Sequence, residues 1–212
     1  MIVAIDGPAG AGKSTVARNL AERLGFRYLD TGAMYRALTW LAMREGLPLA
    51  EPEPLGELAR RNPVIFDEAG RVSIAGADVT AAIRQARIDR MASVVARHHV
   101  VREVMRERQR DLGHQGNVVI EGRDIGTVVT PDAEIKIYLQ ADPDIRARRR
   151  QAERPDIGAD ALATDLRARD KLDRERMQPA EDAVLIDTTD LEVDDVVTRI
   201  EALIRERALT TP

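Results

Sequence analysis

The chain has 212 residues, 44% apolar and 32% charged, the composition of a folded domain, with length for one well-buried domain carrying an inserted subdomain. Its formal net charge of -4 argues against a general nucleic-acid binder, whose surface would be basic. With no cysteine, disulfides and thiolate-held metals are excluded; no apolar run nears the roughly 20 residues that span a bilayer, and no secretory leader opens the chain, so no membrane partner and a cytoplasmic location are expected.

The first predicted element is a buried strand over the apolar run Met1 to Ile5. A glycine-rich stretch follows, Gly7-Pro8-Ala9-Gly10-Ala11-Gly12-Lys13-Ser14, which fits G-x-x-x-x-G-K-[ST]. Thr15 to Leu24 then carries apolar residues at helical spacing. Strand, glycine loop and helix are the setting in which this motif cradles phosphate. Backbone N–H groups from Gly10 to Thr15 can converge on an anion, helped by the positive end of the helix. Glycine is expected there because a side chain would block the approach of a polyphosphate. Lys13 would bridge the β- and γ-phosphates, and the Ser14 hydroxyl would face Mg²⁺. The expected ligand is a nucleoside triphosphate.

Arg27 to Asp30 reads as a brief strand, with Thr31 as the cap of a helix that runs to about Gly46. Tyr35 and Arg36 fall on its first turns, a base-stacking ring beside a phosphate-binding guanidinium. Taken alone, a packing ring and a solvated arginine are the simpler reading. Leu47 to Pro54 reads as a connection and Leu55 to Arg61 as a short helix. Pro63 to Asp67, a turn at Glu68-Ala69-Gly70 and Arg71 to Ala75 predict a hairpin, with a third short strand at Gly76 to Thr80. This antiparallel piece interrupts an alternating β/α pattern and reads as an inserted subdomain. A helical stretch beginning at Asp78 or Thr80 contains Ile83, Ile88, Met91, Val94 and Val95, and a second helix spans about Val100 to Leu112. His98 and His99 have no spaced partner that suggests a metal and read as surface or capping residues.

Val118-Val119-Ile120 is the second core strand, running into Glu121-Gly122-Arg123-Asp124. Ligands of open parallel sheets gather beyond the carboxyl ends of the strands, so this charged trio would stand beside the glycine loop if the two strands are neighbours. Ile135 to Leu139 is the third core strand, and Asp142-Pro143 opens an arginine-rich helix to Arg154. Pro155 to Gly158 breaks it, and Ala161 to Arg176 forms another charge-dense helix. Arginine helices on either side of a turn suit a closing phosphate lid, although most single charges on such helices are solvated pairs. Ala183 to Asp187 is the last strand. Glu192 to Arg207 is the closing helix, with Val193, Val196, Val197, Ile200 and Leu203 inward.

No Asn-Lys-x-Asp segment of a GTPase is present, and the layout suits a small phosphoryl-transfer enzyme. Four segments carry a specific resemblance that covers nearly the whole chain: Ile5 to Thr15, Leu29 to Arg36, Glu121 to Thr127, and Arg169-Asp170 with Asp173 and Arg176. Together they resemble the bacterial cytidylate kinases. The resemblance implies an α/β P-loop NTPase three-layer fold, with a central parallel sheet, a small antiparallel nucleotide-binding insert at about 62–100 and a helical lid at about 148–166, within one domain over 1–212. It implies transfer of the ATP γ-phosphoryl, with Mg²⁺, to CMP or dCMP. Gly7, Pro8, Ala9, Gly10, Ala11, Gly12, Lys13, Ser14 and Thr15, with Arg146 and Arg149, would bind ATP, and Ser14 would face the metal. Thr31, Tyr35, Arg36, Ser93, Arg102, Arg123, Asp124, Arg169, Asp173 and Arg176 would bind CMP. Lys13, Arg123, Arg149 and Arg176 would act on the transferred group. Arg148 and Arg150 leave the register of the lid arginines open, and Glu121 stands where many P-loop proteins have Asp. A monomer without nucleic-acid partners is expected. Competing readings are a P-loop kinase for UMP, shikimate or dephospho-coenzyme A, and a nucleotide-driven regulatory switch.

Overall fold

The computed structural model describes residues 1–67, 69–155, 157–174 and 176–210. Glu68 of the expected hairpin turn, Asp156 of the expected helix break, Glu175 of the expected second arginine helix, and Thr211 and Pro212 lie outside the described residues. The chain forms two compact units, Met1–Leu29 with Gly113–Pro212, and Asp30–Leu112.

The first unit is built on a five-stranded sheet. Its strands are β1 (Ile2–Asp6), β2 (Arg27–Asp30), β6 (Val118–Gly122), β7 (Ile135–Gln140) and β8 (Val184–Asp187), in the order β2-β6-β1-β7-β8. β1 lies between β6 and β7 and runs parallel to both, with Ile5 opposite Glu121 and Asp6 opposite Gly122 and Tyr138. β8 continues the parallel set on β7. All five residues of β1 are buried, which is why its sequence is an unbroken apolar run up to Asp6 rather than an alternating one. Val3 and Ile5 pack with Val16, Ala17 and Leu20 of helix α1 (Lys13–Leu24) and with Val196, Val197 and Ile200 of α8 (Val193–Thr210). Helix α1 stops at Gly25, whose left-handed φ of 64° lets its N–H reach back to the carbonyls of Ala21 and Glu22. Two more helices, α6 (Pro143–Glu153) and α7 (Ala159–Asp173), pack on one another.

The second unit contains α2 (Thr31–Arg44), α3 (Pro52–Arg61), an antiparallel sheet of β3 (Ile65–Phe66), β4 (Val72–Ile74) and β5 (Ala77–Asp78), a 3₁₀ turn at Ala82–Arg84, α4 (Ala86–Val95) and α5 (His99–Gly113). Its core is separate from that of the sheet: Met34, Leu38, Leu41, Leu55, Ile74, Ile83, Val95 and Met105 are fully buried together. Gly56 is packed so closely that a methyl group there would strike Val100.

Several boundaries differ from expectation for identifiable reasons. The cap of α2 is Asp30, not Thr31: its carboxylate accepts from the Ala33 N–H at 2.9 Å, and Thr31 is already helical. Helix α3 begins at Pro52 rather than Leu55, because proline fits the first helical turn, where its missing N–H costs nothing. The stretch expected as one helix after Asp78 is split into the 3₁₀ turn and α4 by an extended Gln85. After β6 the backbone makes a five-residue π turn, Ile125–Val129, that no sequence pattern announced.

Candidate phosphate-binding site

The glycine loop leaves β1 at Asp6, and its three glycines are needed for three different reasons. Gly7 has φ 145°, and a Cβ there would lie 2.1 Å from the Leu139 carbonyl oxygen of β7. Gly10, at φ 79°, is crowded by the backbone and Cβ of Arg146. Gly12, at φ 90°, caps α1 in the left-handed region, with open space around it apart from the Arg149 guanidinium. Close approach of the protein's own backbone therefore demands the first glycine, where the sequence had suggested the ligand alone.

Ser14 and Thr15 are exposed at the start of α1, while Lys13 is buried and donates to the Pro8 carbonyl at 2.8 Å. Three arginines from distant parts of the chain grip the loop's surroundings. Arg123, just past β6, donates Nη1 to the Gly7 carbonyl at 2.8 Å and Nε to Asp173 at 3.0 Å. Arg146 donates to the Ala9 carbonyl at 3.1 Å and forks onto both oxygens of Asp170. Arg149 donates to the hydroxyl and carbonyl of Thr188, whose hydroxyl also lies 3.1 Å from the Ala11 carbonyl. Arg146 and Arg149 are three apart on α6 and share a face. Arg148 is exposed and Arg150 pairs with Glu153, while Arg146 and Arg149 are the two that bond to the loop's surroundings. Arg176 completes a chain of charges by donating to the second oxygen of Asp173. Arg169 and Asp124 are half-buried in the same unit.

Two buried acids stand beside Lys13. Asp6, which the sequence did not single out, accepts from the N–H groups of Ile125 and Gly126 at 2.9 and 2.8 Å and so fixes the start of the π turn. Burial pushes its carboxyl up to about 6, against the pull of those two bonds. The only available signal was an acid placed between an apolar strand and a glycine loop. Glu121 is buried too and accepts from the Tyr28 hydroxyl at 2.5 Å. Asp173 is also mostly enclosed; burial disfavours its charge, but Arg123 and Arg176 outweigh that and hold its carboxyl below the usual range.

Burial, with the repulsion of Arg123, pulls the Lys13 ammonium down to about 7, while Glu121 and Asp6 oppose the shift. A bound polyphosphate would favour the charged form. kcat/KM for ATP, which reads the free enzyme, is therefore expected to fall as pH rises through about 7, while kcat holds to higher pH. Parallel pH profiles for the two parameters would contradict this account of Lys13.

In the second unit, Tyr35 and Arg36 are half-buried on α2, and Thr31 is buried at its start. Arg36 donates Nη2 to Asp30 at 2.7 Å. Ser93 on α4 and Arg102 on α5 are buried polar residues of the same unit, as is Asp89. His98, half-buried just before α5, meets the Leu49 carbonyl at 2.8 Å, and His99 is exposed beside Glu103. Among the described residues no group of three or more His, Cys, Asp or Glu side chains could hold a metal, and no helix is long and apolar enough to cross a membrane.

A lysine in a glycine loop, ringed by arginines and lying at the carboxyl ends of parallel strands, is common to many phosphoryl-transfer proteins. What separates them is the rest of the chain, and the family model described as Cytidylate kinase matches residues 3–206. The chain belongs to the cytidylate kinase family. Cytidylate kinase of Bacillus subtilis (strain 168) is 44% identical over 217 residues, covering 97% of this chain and 97% of that protein. Cytidylate kinase of Desulfitobacterium hafniense (strain Y51) is likewise 44% identical, over 98% of this chain and 94% of its own. Among solved structures, shikimate kinase from Bacteroides thetaiotaomicron aligns with TM-score 0.53 at 17% identity, covering 97% of this chain and 98% of that one. At that identity the likeness speaks for the P-loop kinase fold and not for the substrate. In this chain the glycine loop with its arginines lies in the first unit, and Arg36, Ser93 and Arg102 lie in the second.

Proposed function

We infer that the chain is a nucleoside monophosphate kinase that transfers the γ-phosphoryl of ATP to CMP or dCMP, giving ADP and CDP or dCDP. The observation that carries the chemistry is the buried Lys13 inside a glycine loop whose carbonyls are held by Arg123 and Arg146. An anionic oxygen of the acceptor phosphate attacks the γ-phosphorus in line, and the bond to the β-phosphate oxygen breaks. No protein nucleophile is required. The transition state is loose and spreads charge over the transferring oxygens, so catalysis consists of positioning and of preorganised positive charge.

Each group then has a task. Backbone N–H groups of Gly10 to Thr15 and the Lys13 ammonium hold the triphosphate. Mg²⁺ supplied with ATP would offset the charge of the phosphates, and Ser14 would be the residue that holds it. The exposed Ser14 hydroxyl suits an ion that keeps most of its waters and takes one or two protein oxygens. Arg149 and Arg176 stabilise the charge that develops on transfer, and Arg146 steadies the loop at Ala9. Residues 148–166 act as the lid that excludes water, which would otherwise hydrolyse ATP. On the acceptor side, Arg36 and Arg123 hold the phosphate, Asp124, Arg169 and Asp173 the sugar end, and Thr31 and Tyr35 the pocket wall. Residues 62–100 include Ser93, which with Arg102 reads the base. A buried acceptor that pairs with the cytosine amino group would be left unpaired by uracil, which is how such a site rejects it. We place the enzyme in the cytoplasm as a monomer without nucleic-acid partners.

The test is ADP release with MgATP and, in turn, CMP, dCMP, UMP, AMP and GMP. Fast turnover confined to CMP and dCMP is the expected result. An equal response to all five would leave the triphosphate site standing and remove the acceptor assignment.

A further inference from the structure

We propose that Asp30 is a positioning residue for the acceptor phosphate: its carboxylate aims the Arg36 guanidinium while capping the helix that carries it. The inference rests on the reading of Arg36 as the residue that holds that phosphate. Asp30 is buried, and its two oxygens have separate tasks. Oδ1 accepts from the Ala33 N–H at 2.9 Å, closing the first turn of α2. Oδ2 accepts from Arg36 Nη2 at 2.7 Å. One rigid carboxylate is thus tied to the helix backbone and to the guanidinium six residues on, so the direction of Arg36 is set by the helix cap itself.

Gly32 gives a second, independent observation. A Cβ at that position would lie 2.9 Å from Arg36 Nη1 and 3.1 Å from Asp30 Oδ1. The guanidinium is folded over the first turn of α2 across ground that any side chain would occupy. Gly32 shows no left-handed φ, so the backbone does not require glycine. A side chain there would instead have to push the Arg36 guanidinium aside.

The pair is mostly buried, with the Arg36 and Asp30 side chains 16% and 11% exposed, so the cost of desolvating both charges offsets most of their attraction and the value of the pair is geometric. An arginine without such a tie samples many rotamers and must order on binding, whereas a guanidinium already held by Asp30 loses less freedom when it meets a phosphate.

The experiment uses three variants of the full chain, with KM for CMP, KM for ATP, kcat and melting temperature measured for each. In Asp30→Asn the amide oxygen keeps the helix cap, because Asn caps as well as Asp. Its NH₂ then faces the Arg36 N–H, donor against donor, and turns the guanidinium away. KM for CMP is expected to rise about tenfold, the scale of a lost charged hydrogen bond, with KM for ATP and the melting temperature nearly unchanged. Gly32→Ala should raise KM for CMP in the same selective way, and it carries the test if Asp30→Asn does not fold. Arg36→Ala is the reference and should raise KM for CMP at least as much. If Arg36→Ala raises it while Asp30→Asn and Gly32→Ala do not, Asp30 is a helix cap only and the proposal is wrong. If Arg36→Ala itself leaves KM for CMP unchanged, the acceptor role of Arg36 falls, and the proposal falls with it.

Discussion

Lys13→Met is expected to lower kcat by about 10²–10³-fold, the loss seen when one preorganised donor is removed from a transition-state site, while raising the melting temperature. The two effects have one cause. Folding places the Lys13 ammonium in a buried position next to Arg123, where its charged form is disfavoured and its pKa falls from 10.5 to about 7. Between those values the unfolded chain binds a proton that the folded chain does not, so the stability of the wild type rises with pH across that window. Below about 7 both states are protonated and the full cost of burying the charge is present. The methionine variant has no such cost, so its advantage in melting temperature should be largest below pH 7 and shrink toward pH 10. Thermal melts at three pH values, beside steady-state kinetics, check both halves. A kcat close to wild type would remove Lys13 from the catalytic residues. A gain in stability that does not vary with pH would mean that the burial of its charge is not what the fold resists.

Gly7→Ala is expected to damage the fold rather than the chemistry. The added methyl would stand 2.1 Å from the Leu139 carbonyl oxygen and 3.1 Å from its carbon, both backbone atoms of a central strand that cannot turn aside. It would also impose a side chain on a φ of 145°. Overpacking and left-handed strain together cost about 3 kcal/mol or more, which for a chain of this size lowers the melting temperature by roughly 10 °C. Gly25→Ala makes a sharp control, because that glycine also has positive φ but nothing lies within 4 Å of its Cβ position. Differential scanning calorimetry of the two variants separates strain from collision. Equal losses in both would show that contact with β7 is not the reason for Gly7.

Much of this protein was legible in its sequence because the informative patterns are local. Gly7 to Ser14 span one turn of chain between a strand and a helix, and the geometry that cradles phosphate is made within that turn. The apolar runs at Ile2 and Val118 were readable as core strands because central strands of a parallel sheet are buried on both faces and need no alternation, whereas Ile135 to Gln140 was readable by its alternation, with Ile135, Ile137 and Leu139 buried. The segments Leu29 to Arg36 and Glu121 to Thr127 were specific enough to point to the family that the full-length similarity then supplied. The neighbouring placement of Glu121 to Asp124 was a conditional expectation, and the pairing of β1 with β6 met its condition.

What only the tertiary structure decided are the pairings of charge. Arg123 reaches the Gly7 carbonyl across 116 residues and Arg146 the Ala9 carbonyl across 137. Four arginines crowd residues 146–150, and composition gives each the same claim. The phase of α6 against the glycine loop selects Arg146 and Arg149 and leaves Arg148 to solvent. Asp6 looked like the end of a strand until the π turn brought two N–H groups onto its carboxylate. Asp30 looked like the residue before a cap until the backbone showed it to be the cap. Periodicity and turn chemistry act over a few residues and leave a trace in the sequence. The direction of a long charged side chain depends on which strands lie side by side, and the order β2-β6-β1-β7-β8 that decides it is a property of the folded sheet as a whole.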